Sequence, residues 1–310
     1  MTDLTNEPAF TTRDIDQAID RDQLELWFQP QYELSNRTIG ACEGMVRWRH
    51  PDLGLLPPGL FIQSFEAHDR MADLTKTVAR LGGHALKRWR EAGHDWRLNL
   101  NVTVADLVSP SFAILTETEL QSAGGQPDSV TFEVREDDAA CHVEDVERAA
   151  RALRRAGFGF ALEARGTRLM PDHMDWQSLF TEFKLTGPTL LRMGAVQRRA
   201  GGGLVGARLD EAKRAGLPVV AVGAENEKLI GQLTEMGFDR AQGHALAPAA
   251  PLREILANAP AAEACAQPTA DEWMSMGLDA LIREARSRDL DQADVSDAKD
   301  TPSDGAVQAA

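Results

Sequence analysis

The sequence predicts an α/β fold: a (β/α)8-type barrel entered through an antiparallel strand. Three observations predict it. Strand-like and helix-like segments alternate from Leu24 to Leu252, the pattern of a largely parallel sheet covered by helices. The first two strand-like segments are separated only by Ser35-Asn36-Arg37, a turn short enough to force an antiparallel hairpin. Charged and amide side chains recur where several different strands end, as in barrels that build sites from many strand exits. A doubly wound sheet would gather them at one switch point.

Taken in order, Asp14 to Ile19 reads as a short capped helix, and Leu24 to Leu34 alternates apolar and polar residues like a strand. Thr38 to Trp48 is the second strand. Helices follow at Pro58–Glu66 and Asp69–Ala92, a strand at Arg97–Asn101, helices between Val104 and Ser122, and a strand at Ser129–Val134. The alternation continues with helix Val143–Ala156, strand Phe158–Leu162, helix Asp172–Leu179 and strand Glu182–Leu185. Helix Thr189–Ala215, strand Pro218–Val222, helix Glu225–Met236 and a short strand near Ala241 complete the barrel, closed by a helix containing Leu252 to Ala257.

The domain reading divides the chain into a lead-in (1–20), the barrel (21–258), an Ala/Pro linker (259–270), an amphipathic helix (271–288) and an acidic tail (289–310). Met274, Leu278, Leu281, Ile282 and Ala285 give that helix one apolar stripe. The tail is rich in acidic and small residues and reads as disordered.

Composition narrows the function. The net charge of −15 and the lack of a Lys/Arg block argue against a nucleic-acid partner. Cys42, Cys141 and Cys265 match neither a disulfide framework nor a zinc site. No secretory signal opens the chain and no window approaches the ~20 apolar residues of a membrane span, so a cytoplasmic protein is expected. Gly201-Gly202-Gly203 lacks the Lys-Ser/Thr of a phosphate loop, and Gly157-Phe158-Gly159 precedes its strand, the wrong order for a dinucleotide fingerprint. His50, His68, His94, His173 and His244 show no ligand pairing with one another.

The strand-exit groups form an ordered series. It runs through Trp27-Phe28-Gln29-Pro30-Gln31, Glu43-Gly44-Met45-Val46-Arg47-Trp48, Asn99-Leu100-Asn101-Val102-Thr103 and Phe132-Glu133-Val134-Arg135-Glu136. Phe183-Lys184-Leu185 and Ala241-Gln242-Gly243-His244 complete it. In order and spacing this series resembles EAL domains across Leu24 to Leu252. The resemblance implies a modified TIM (β/α)8 barrel with an antiparallel first strand, and cyclic di-GMP phosphodiesterase chemistry. In active members two Mg²⁺ or Mn²⁺ ions activate the water that opens one phosphodiester bond to give pGpG. Paired ions of this kind lower the pKa of bound water and neutralise phosphate charge.

By the same resemblance, Glu43, Asn101 and Glu133 are metal ligands, and Lys184 and Gln242 lie near the catalytic water. Gln29, Met45 and Arg47 fall at nucleotide-contacting positions. The signature is altered, with Gly44-Met45 where Ala-Leu is usual. Larger departures follow. Glu163-Ala164-Arg165-Gly166-Thr167-Arg168 stands where the family has Asp-Asp-Phe-Gly-Thr-Gly. Lys184-Leu185-Thr186 replaces Lys-Ile-Asp, and Val222-Gly223-Ala224-Glu225 replaces Glu-Gly-Val-Glu. Glu163 is the one remnant ligand on its loop.

The expectation is a degenerate EAL domain with little or no phosphodiesterase activity. It would act as a cyclic di-GMP receptor or adaptor with a vestigial site for Mg²⁺ or Mn²⁺, and Arg165 or Arg168 would take over phosphate neutralisation. A protein partner is expected, and a homodimer is an open alternative. The competing readings are an interaction scaffold that no longer binds nucleotide and docks a partner through the barrel surface and the helix from Asp271 to Arg286, and a slow metal-dependent phosphodiesterase.

Overall fold

The computed structural model describes residues 10–165, 175–186 and 203–259. Expectations that fall on Arg168, His173 and Cys265, on most of the helix expected to begin at Thr189, and on the linker, carboxy-terminal helix and tail lie outside the described residues.

Eight strands close into a ring: β1 (Leu24–Glu33), β2 (Ile39–His50), β4 (Arg97–Asn101), β5 (Val130–Arg135), β6 (Gly159–Ala164), β7 (Glu182–Leu185), β8 (Val219–Val222) and β9 (Arg240–Gln242). β1 pairs antiparallel with both β2 and β9, while every other neighbour in the ring is parallel. The short strands β3 (Gly54–Leu56) and β10 (Ala250–Pro251) extend β2 and β1. The expected antiparallel first strand is present.

The hairpin forms where the sequence cannot continue a strand. Arg37 takes a left-handed φ of 62°, and the Asn36 side chain accepts from the Thr38 amide at 3.0 Å, a local bond typical of Asx turns. Helix starts are equally local. Thr11 with Asp14 and Thr103 with Asp106 form capping boxes for Thr12–Asp20 and Val104–Val108. Asn226 caps Glu227–Met236, which stops at Gly237 in the left-handed region.

Two apolar clusters hold the layers. The larger lies between barrel wall and helices and includes Leu98, Leu100, Phe132, Phe160, Leu162 and Phe183. The smaller gathers Ile15, Trp48, Phe61, Phe65 and Leu74 under the first helix. Close approach of the 21-residue helix Met71–Glu91 depends on its glycines. A Cβ at Gly82 would meet Leu98 at 2.8 Å, and one at Gly83 would meet the Leu120 carbonyl oxygen at 2.5 Å.

The barrel interior is not the usual stack of branched apolar side chains. Strand alternation turns Gln29, Gln31, Glu43, Asn99, Asn101, Glu133, Glu182, Lys184, Arg240 and Gln242 toward one another, while their neighbours face the helices. Small residues make room for these long chains. A Cβ at Gly159 would lie 2.4 Å from Thr131 Oγ1 and 3.1 Å from an Arg97 guanidinium nitrogen. No helix among the described residues is long and apolar enough to cross a membrane.

Candidate active site

At the C-terminal ends of the parallel strands, Lys184 is the centre. Its Nζ donates to both Glu133 oxygens at 2.7 Å and to Glu43 Oε2 at 2.9 Å. Glu43 also accepts from Asn101 Nδ2 at 2.7 Å and from Gln242 Nε2 at 2.8 Å. Gln242 Nε2 lies 3.3 Å from Gln29 Oε1, and its own Oε1 accepts from Gln31 at 2.9 Å. Six strands thus place Gln29, Glu43, Asn101, Glu133, Lys184 and Gln242 in one hydrogen-bonded group.

Beneath it runs a second set that sequence reasoning missed. Asn99 Nδ2 donates to Glu133 at 2.7 Å and to Glu182 at 2.8 Å, and its buried Oδ1 has no partner among the described residues. Glu182 pairs with Arg240 at 2.7 Å, and Arg240 reaches Glu33 at 3.3 Å. The signal in the sequence is the alternation Arg97-Leu98-Asn99-Leu100-Asn101, which reads the same for a solvent-facing strand and for a polar barrel interior.

Charge sharing sets the protonation states. One ammonium serves two carboxylates, and the carboxylates split. Burial works against ionised Glu43, but the Lys184 charge and the bonds from Gln242, Asn101 and Lys184 outweigh it and bring its pKa down to about 2. Burial pushes Glu133 up to about 8 against the pull of Lys184, with Glu43 and Glu182 adding to the rise. Burial also disfavours the charged form of Lys184, yet Glu133 and Glu43 hold it above its ordinary value.

The other expected residues lie around this group. Glu163 neighbours Lys184 and Arg135 in register, and burial raises its pKa. Ala164 is fully buried in the apolar cluster between wall and helices and offers no donor. Thr186 is tied by its amide to the Ala164 carbonyl at 2.9 Å. Val222 pairs with Gln242 in register. Met45 and Arg47 follow Glu43 on β2, with Arg47 donating to the Val46 carbonyl at 3.4 Å. Arg165 is exposed at the end of β6. Glu225 faces solvent and pairs with His244 at 3.6 Å.

His50 Nδ1 accepts from the amides of Asp52 and Leu53, His68 bonds Thr12 and Phe10, and His94 stacks on Trp96. These are structural roles.

The EAL domain family model matches residues 12–249. The chain belongs to the EAL domain family. An uncharacterized protein of Mycobacterium tuberculosis is 28% identical over 261 residues, covering 81% of this chain and 83% of that protein. The cyclic di-GMP phosphodiesterase NbdA of Pseudomonas aeruginosa is 28% identical over 244 residues, covering 77% of this EAL protein and 31% of the relative. Among solved structures, the PaMucR phosphodiesterase in complex with c-di-GMP superposes with a TM-score of 0.71 at 24% identity, covering 78% of this chain and 98% of that one. The FimX EAL domain from Pseudomonas aeruginosa bound to c-di-GMP gives 0.67 at 18% identity, covering 77% and 95%. Both structural likenesses concern the fold.

The metal-binding capacity of this EAL domain follows from its donor set. Among the described residues no group of three or more His, Cys, Asp or Glu is placed to hold a metal ion. Glu43 and Glu133 are joined by the Lys184 ammonium, and Asn101 turns its donor nitrogen, not its oxygen, toward Glu43.

Proposed function

We propose that this EAL domain is a cyclic di-GMP receptor or adaptor of bacterial signalling with little or no phosphodiesterase activity. The observation that carries the reading is that Ala164, fully buried, together with Thr186 and Val222, stands where the family carries carboxylates and supplies no charged ligand. Glu43 and Glu133 remain, bridged by the Lys184 ammonium at 2.9 and 2.7 Å. These residues do not fit a pair of divalent ions, and any Mg²⁺ or Mn²⁺ site is vestigial.

Without paired ions, no group lowers the pKa of an attacking water. What remains suits binding. Gln29, Arg47 and Met45 flank the floor, Lys184 supplies positive charge, and Arg165 stands exposed at the rim, where a guanidinium pairs well with phosphate. Arg168 is assigned the same role from the sequence alone.

Calorimetric titration with cyclic di-GMP, with and without Mn²⁺, tests the reading alongside chromatography of the products. The expected result is metal-independent binding and no accumulation of pGpG. Rapid pGpG release with Mn²⁺ overturns it in favour of the second reading, a slow metal-dependent phosphodiesterase, which the grouping of Glu43, Asn101 and Glu133 supports. Absence of any binding heat favours the interaction scaffold. Unchanged affinity in Arg165→Ala and Arg168→Ala removes the phosphate role of the arginines.

A further inference from the structure

Arg240 is joined from beneath to both carboxylates that share the Lys184 ammonium. It and Gln242 are alternate residues of β9, so both side chains enter the barrel, and the Arg240 side chain is only 9% exposed.

Two arms leave its guanidinium. On one, Nη2 pairs with Glu182 Oε2 at 2.7 Å, Glu182 Oε1 accepts from Asn99 Nδ2 at 2.8 Å, and the same nitrogen donates to Glu133 Oε1 at 2.7 Å. On the other, Nη1 donates to Gln31 Oε1 at 3.4 Å, the longest link. Gln31 Nε2 then donates to Gln242 Oε1 at 2.9 Å, and Gln242 Nε2 to Glu43 Oε2 at 2.8 Å. Lys184, bonded to Glu133 and to Glu43, joins the arms at the top. The circuit is closed.

Chemistry fixes the sense of its bonds, because a guanidinium and an ammonium can only donate. Gln31 must turn its oxygen to Arg240, so its nitrogen meets the Gln242 oxygen. That leaves the Gln242 nitrogen for Glu43. On the other arm Asn99 stands between Glu133 and Glu182, and its nitrogen serves both. Its buried oxygen is left without a partner among the described residues.

Charge is balanced along the same path. Inside the wall Glu43, Glu133 and Glu182 face Lys184 and Arg240, while Glu33 meets Arg240 at the partly exposed floor, 3.3 Å away. With Arg240 engaged by Glu182, the Lys184 ammonium is left to Glu43 and Glu133. Without it, the Glu182 charge would stand uncompensated one amide away from Glu133, where a buried charge is strongly felt.

We infer that Arg240 is a positioning residue for the site above it. It sets the orientation of Gln242 and the charge shared by Lys184, Glu43 and Glu133, and through them the surface offered to an anionic phosphodiester. The effect on nucleotide rests on the receptor reading; the effect on Gln242 does not.

The test uses the whole chain labelled with ¹⁵N. The side-chain amide of Gln242, assigned through Gln242→Leu, reports on the circuit in the free protein, and calorimetry reports on cyclic di-GMP. Arg240→Met should displace the Gln242 amide signals and weaken cyclic di-GMP by about tenfold. Arg240→Lys, which keeps a donor-only cation, should move both back toward the parent. Arg240→Met combined with Glu182→Gln removes both charges of the pair and should recover at least about threefold in affinity over Arg240→Met alone, a gain that a merely structural arginine would not give. Arg240→Gln replaces Arg240→Met if circular dichroism shows the latter unfolded. The inference is overturned by unmoved Gln242 signals in a folded variant, by affinity undiminished in that variant, or by a double variant that binds no better than the single one. A parent protein that binds no cyclic di-GMP overturns the receptor reading instead, and the Gln242 signals of the free chain then decide the role of Arg240.

Discussion

Lys184 Nζ sits at the same 2.7 Å from both oxygens of Glu133, so the ammonium lies on the axis of a carboxylate that is itself buried. Such a pair is weak evidence for net stability, but breaking it leaves a charge without a partner. Lys184→Met is expected to cost about 3–5 kcal/mol in urea unfolding. The double variant Lys184→Met with Glu133→Gln should lose less than the sum of the two single changes. Simple additivity would show that Lys184 and Glu133 do not interact.

The raised pKa of Glu133 fixes a pH dependence. A carboxyl that titrates near 8 when folded and at an ordinary 4.5 when unfolded holds its proton more tightly in the native state. Its contribution is fully present below about pH 4.5 and is lost as pH rises through 8. Glu43 acts in the opposite sense, its contribution present above pH 4.5 and lost as pH falls toward 2. The urea midpoint should decline between pH 5 and pH 8 in the unmodified protein, and Glu133→Gln should flatten that decline. An equal decline in both would assign it to other groups.

Gly44 tests whether the altered signature is a packing choice. A Cβ there would lie 2.9 Å from Leu100 Cδ2 and 3.1 Å from Leu98 Cδ1. Gly44→Ala, which restores the usual signature residue, should destabilise by roughly 1–3 kcal/mol as the leucines are forced aside. A thermal melt with no loss would mean that both side chains rotate freely.

Arg208 anchors the helix Gly203–Arg214 from beneath. One guanidinium nitrogen donates to both oxygens of Glu136 at 2.8 Å, another to Glu211 at 2.7 Å, and the group lies 5.0 Å from the Phe183 ring and 5.6 Å from the Trp176 ring. Lysine cannot reproduce the fork or the stacking. Arg208→Ala should cost about 3–5 kcal/mol and Arg208→Lys a substantial part of that. A lysine variant as stable as the parent in urea would reduce Arg208 to a point charge.

The barrel was legible because its signals are local. Arg97–Asn101 and Glu182–Leu185 fall where alternation and length place them, and the Asn36 turn forces the hairpin. Most helix and strand ends elsewhere differ by one or two residues, since caps such as Thr11 and Thr103 act just outside the apolar pattern, but the helix expected from Asp172 starts at Trp176, capped by Asp175. β3 escaped notice because three residues carry no period. Residue identity indicated which strands bear functional groups, but not that Lys184 bridges Glu43 and Glu133. That contact joins residues 141 and 51 positions apart in the chain. The Asn99–Glu182–Arg240 set was illegible for a different reason: a polar residue at every second position looks alike whether it meets water or another strand.

The reversed sense of β1 decides where the first helix packs. A first strand parallel to the rest would begin at the floor, but Leu24 begins level with Trp48 at the end where the site opens. The helix Thr12–Asp20 is thereby lodged at that rim, with Ile15 and Ala18 packed among Phe61, Phe65 and Leu74. The amino-terminal helix therefore packs beside the strand that carries Glu43 and Arg47 at the open end of the barrel, and not beneath its floor.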